Sequence, residues 1–72
     1  MPYRSLTDSV TGASGVIVVA VPHGQTGLGV VKVMGQEWSC VTPHPEDLAV
    51  GTEVWVIDRQ SAILTVIPDA AR

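Results

Sequence analysis

The chain has 72 residues, 46% of them apolar and 15% charged, with a formal net charge of −3. That length supports one small domain, the apolar share excludes disorder, and a single Cys excludes an internal disulfide. Four basic residues spread along the chain (Arg4, Lys32, Arg59, Arg72) exclude the basic stripe that phosphate binders and acidic membrane surfaces call for.

The β-branched residues set the class. There are 13 Val, 4 Ile and 6 Thr against 4 Leu, with 7 Gly to supply turns, and such a composition favours strands. Residues 1–13 are polar and punctuated and read as a flexible lead-in. Met1-Pro-Tyr-Arg-Ser lacks the apolar centre of a signal peptide, and no apolar run approaches the ~20 residues that span a bilayer. A soluble chain is expected, either whole or as a piece of a larger membrane protein.

Residues 16–21 form a continuous apolar run, which suits a first strand covered on both faces or crossing between them. Pro22 ends it, and residues 22–27 carry loop chemistry. A second strand is predicted over 29–34 and a third over 37–42. Gly35-Gln36 between them fits a two-residue type II′ hairpin turn, which needs positive φ at its first position. Residues 43–51 break the β pattern. Pro45 followed by Glu46 and Asp47 reads as the first turn of a short helix, stopped by Gly51. A fourth strand is predicted over 52–57, a polar turn over 58–61, and a fifth strand over 62–67, closed by Pro68. Residues 69–72 read as a tail. The barrel domain therefore spans 14–68. Five strands with a helical turn between the third and fourth is the order of an all-β, OB-fold-like barrel, with an SH3-like barrel as the competing topology.

One spacing is more specific. Gly27-x-Gly29-x-Val31-x-Val33-x-Gly35-x-x-Trp38-x-Cys40 is followed by Gly51-x-x-Val54-x-Val56 and then Leu64-x-Val66. This resembles the C-terminal soluble domain of NfeD-like proteins, with Cys40 where a small residue, often Ala, is usual. The resemblance covers about residues 12–68. It implies an OB-fold that acts as a protein-interaction module rather than a nucleic-acid reader. It also implies association with stomatin- or flotillin-type (SPFH) membrane scaffold proteins. Full-length relatives usually carry membrane-spanning helices, so a soluble domain of a membrane-anchored protein is implied, the cytoplasmic side being favoured.

Strand residues two apart share a face. Val31 and Val33, Trp38 and Cys40, Val54 and Val56, and Leu64 and Val66 are therefore assigned to the interior. Trp55, Ile57, Ile63, Thr65 and Ile67 then point outward. An apolar outer face with a Trp fits a protein interface, for a partner or a second copy. The competing explanation is cover by the N-terminal segment or a loop.

Other motifs carry less. His23, Cys40 and His44 are the soft metal-ligand candidates, but they lack the paired spacing of a zinc site; no metal or cofactor is expected. Ser39 and Ser61 lack a nucleophile elbow, and His44 lies four residues from Cys40 across a strand end, a spacing that implies no contact, so no catalytic residue is assigned and no enzyme activity is expected. Gly27-x-Gly29 is not followed by the helix a phosphate site needs; a strand bend is expected there. Lys32 between Val31 and Val33 resembles the modified Lys of biotin and lipoyl carrier domains, yet it falls inside a strand rather than at a hairpin tip. The alternative function is an OB-fold domain for single-stranded nucleic acid, which charge and the few aromatics disfavour.

Overall fold

The structure is a computed structural model that describes residues 10–71. Five strands follow one another: β1 Ser14–Val19, β2 Gly29–Val33, β3 Gln36–Val41, β4 Glu53–Gln60 and β5 Ile63–Pro68. They close into a barrel in the order β1-β2-β3-β5-β4, with β4 returning to β1. All neighbours are antiparallel except β3 and β5, which run parallel. This is the expected five-stranded OB-like barrel. Closure leaves the Val-rich strands without a free edge.

The interior is built as the alternation predicts. Val31, Val33, Cys40, Val54, Val56, Leu64 and Val66 are buried and share one core with Ile17, Val21 and Leu48. Each fully buried Val or Leu side chain is worth roughly 1.5–3 kcal/mol. Trp38, the eighth residue assigned inward, is half-buried and packs against the edge of this core.

The first hairpin turn lies one residue earlier than predicted. Met34 and Gly35 occupy it, with φ of 51° and 79°, and Val33 pairs with Gln36. Positive φ at both positions is the type I′ geometry, whose twist matches that of the flanking strands. Gly35 meets its requirement without steric cost. The predicted Gly35-Gln36 turn would have opposed Val33 to Trp38; the structure opposes Val31 to Trp38. Moving the turn by one residue slides the pairing by two. Side chains alternate with period two, so the faces are unchanged.

Three further expectations are corrected. The β3–β4 link holds bends at residues 44–46 and no helix; the short 3-10 helix lies instead at His23–Gln25, between β1 and β2. In the link, the backbone of Leu48 is committed to Val21 through reciprocal 2.9 Å bonds, which an α-helical turn would not present. The lead-in expected over 1–13 does not extend to residue 13. Val10 is buried in the core, Gly12 N–H donates to the Val56 carbonyl at 2.8 Å, and Val56 N–H donates to the Ala13 carbonyl at 2.9 Å. Residues 1–9 lie outside the described residues. In place of a tail, Asp69–Ala71 forms a 3-10 turn after β5.

Gly29 is where the end of β1 comes closest to β2. A Cβ there would lie 2.5 Å from Val21 Cγ2 and 2.7 Å from the carbonyls of Val19 and Ala20. The β1 and β2 backbones approach so closely only because Gly29 has no side chain.

Candidate protein-binding face

The β4–β5 hairpin displays the outer residues. Trp55 is opposite Ile67, Val56 opposite Val66, Asp58 opposite Thr65, and Gln60 opposite Ile63. Val56 and Val66 point inward, so Trp55 and Ile67 point outward. Ile57 is an extra residue, a β-bulge between the pairs of Val56 and Asp58. Ile57 is 42% exposed and Ile63 38%, while Trp55, Thr65 and Ile67 are half-buried. The structure thus brings the five residues together on adjacent strands. β3 extends the face, with Ser39 opposite Ile63 and Val41 opposite Thr65.

The bulge redirects the remainder of β4. Simple alternation from Val54 and Val56 would send Asp58 inward and Arg59 outward. The extra residue reverses this. Asp58 joins the outer face, exposed, beside Thr65. Arg59 is opposite the fully buried Leu64, and its guanidinium lies 5.5 Å from the Trp38 ring centroid. Arg59 therefore covers Trp38 at one end of the barrel, a cation–π contact that also shields the ring from water. Residues 58–60, predicted as a turn, are the end of β4; the turn itself is Ser61-Ala62. The available signal was an Asp at a position that alternation would bury.

At the loop end, the β1–β2 and β3–β4 links are joined. Gly24 N–H donates to the His44 carbonyl at 2.9 Å, and Gln25 N–H to the Thr42 carbonyl at 2.7 Å. His23 contacts Asp47 through both its backbone N–H and its ring. Both histidines lie in these joined links, and Cys40 is buried in the core. Among the described residues no three His, Cys, Asp or Glu side chains gather. Burial pushes the Cys40 thiol up to about 11, opposed by a hydrogen bond with the Gly29 backbone; it is protonated at neutral pH and a poor nucleophile. Ser39 is exposed on the outer face of β3, and Ser61 sits in the β4–β5 turn. Lys32 lies within β2, exposed, opposite Glu37.

The sequence matches the family described as "NfeD-like C-terminal, partner-binding domain" over residues 7–68. The chain belongs to this family. Solved structures agree with the assignment. The soluble domain of the NfeD protein YuaF from Bacillus subtilis is 30% identical, with a TM-score of 0.76 over 88% of this chain and 77% of that one. The soluble domain of a Corynebacterium glutamicum membrane protein, implicated in regulation of membrane protease activity, is 25% identical. Its TM-score is 0.76 over 86% of this chain and 95% of that one. The C-terminal domain of stomatin operon partner protein 1510-C from Pyrococcus horikoshii shares the fold, with a TM-score of 0.75 at 23% identity, over 92% of this chain and 97% of that one. No curated protein matches the chain. Among its described residues, this NfeD-like domain has no helix long and apolar enough to cross a membrane.

Proposed function

We propose that this NfeD-like domain is a non-catalytic protein-interaction module that binds a stomatin- or flotillin-type membrane scaffold protein, on the cytoplasmic side of the membrane. The observation that supports this is the family match to a partner-binding domain, on a barrel whose β4–β5 hairpin displays Ile57 and Ile63 to solvent beside Trp55, Thr65 and Ile67. The structural similarity to a stomatin operon partner points to the partner class. The apolar side chains of the face supply anchors of the kind that dominate interface energies.

The test is a binding measurement between the domain and the purified soluble part of a stomatin-type protein from the same source. Wild type is compared with Ile57→Asp, an exposed change at a bulge that leaves the core intact. Binding by wild type and at least about tenfold weaker binding by the variant, the cost of one lost anchor, is the expected result. Equal binding by both removes the assigned face; no binding by wild type removes the partner class.

A further inference from the structure

Within this face, the outer surface opens a depression of about 570 Å³ where β3, β5 and β4 lie side by side. Its lining includes Val41, Ile63 and Thr65 together with Asp58, Gln60 and Gln25. The register explains the combination. Val41 is opposite Thr65, and Thr65 is opposite Asp58, so the three form one row across three strands. The bulge at Ile57 is what places Asp58 in that row.

The depression holds a carboxylate and no cation. Among the described residues no ion pair engages Asp58. Arg59, its chain neighbour, stacks over Trp38. Lys32 sits on β2, opposite Val16 and Glu37. Asp58 shares the lining with the side-chain amides of Gln25 and Gln60 and with the aliphatic side chains of Val41 and Ile63. Long basic side chains have the complementary build, an apolar stem with a charged, hydrogen-bond-donating head.

We propose that this depression receives an arginine or lysine side chain of the partner protein, its stem against Val41 and Ile63 and its cation on the Asp58 carboxylate. Arginine suits it better: the planar five-donor group can use the amide oxygens of Gln25 and Gln60 in addition to the carboxylate. The apolar residues of the face supply contact area, and Asp58 supplies orientation and selection against acidic partners. This rests on the partner-binding reading of the face and goes beyond it by specifying the chemistry the partner must present.

The experiment is an amide-shift titration of the ¹⁵N-labelled chain with the blocked peptide Ile-Arg-Ile and with the same peptide carrying citrulline, the neutral isostere of arginine. The arginine peptide is expected to shift residues 41, 58, 60, 63 and 65. The citrulline peptide should bind about fivefold more weakly, the scale of one exposed ion pair. Asp58→Asn should remove that difference, while Asp47→Asn keeps it. Equal binding of the two peptides, shifts confined to other surfaces, or an unchanged difference in Asp58→Asn overturns the proposal. Binding of the stomatin-type protein separates the two levels. Loss with Ile57→Asp but not with Asp58→Asn overturns the basic-side-chain pocket and leaves the face standing. Full binding by Ile57→Asp overturns Ile57 as an anchor of the face, and full binding by both variants overturns the pocket with it.

Discussion

His23 Nδ1 lies 2.7 Å from Asp47 Oδ1, and the His23 backbone N–H donates to the same oxygen at 2.9 Å. One carboxylate oxygen therefore holds the start of the His23–Gln25 helix against the β3–β4 link. The bond from the His23 ring, and then that from its backbone, hold the Asp47 carboxyl below its ordinary value. A carboxyl whose folded pKa lies below its unfolded one adds stability above the unfolded pKa and loses it as pH falls through the folded one. Wild type should therefore lose thermal stability more steeply than Asp47→Asn as pH falls below about 4. Thermal melts of both proteins across that range check it; parallel slopes would show that the contact carries no such linkage.

Gly29→Ala tests the close approach of β1 and β2. The new methyl meets two backbone carbonyls as well as Val21, so relief requires the strands to separate. The cost is expected at or above the upper end of the roughly 1–3 kcal/mol typical of overpacking. Urea denaturation measures it, and a cost within error of zero would mean that the barrel is slack at this point.

Arg59→Ala tests the cover over Trp38. The variant loses the cation–π contact and the packing of the side-chain stem, together about 1–2 kcal/mol. Trp38 emission should shift to the red as water reaches the ring, in a Trp55→Phe background that isolates the signal. Arg59→Met keeps the stem and should restore much of the stability.

Cys40 yields a prediction with the opposite pH sense. Its thiol titrates near 11 in the folded chain because burial disfavours the thiolate, against an ordinary 9.0. The unfolded chain gives up this proton first, so stability declines as pH rises from about 9 toward 11. Cys40→Ala should flatten that decline while costing about 1–2 kcal/mol at neutral pH for the lost core volume. Iodoacetamide should label native Cys40 far more slowly than unfolded chain; equal rates would mean the thiol is open to solvent.

The inward set was legible in the sequence because alternation is a local property. Val31 and Val33, Val54 and Val56, and Leu64 and Val66 are each two apart, and each pair is buried. That assignment survived a misplaced turn, because the slide by two residues preserved every face. The outward positions of Trp55 and Ile67 derive from the same rule.

The bulge at Ile57 was not legible, because it exists only relative to β5: one strand carries a residue that its partner does not oppose. Asp58 and Arg59 exchange faces as a result, which creates the acidic depression on one side and the cover of Trp38 on the other. Val10 and Leu48 likewise sit in polar, turn-like stretches, and only the closed barrel gives each a place to be buried. By itself the sequence determined the presence and order of the five strands, the alternating interior residues of β2 to β5 and the family, since these depend on near neighbours along the chain. The tertiary structure alone decided the shape and charge of the outer face, since that surface is composed across β3, β5 and β4 by a register no single strand contains.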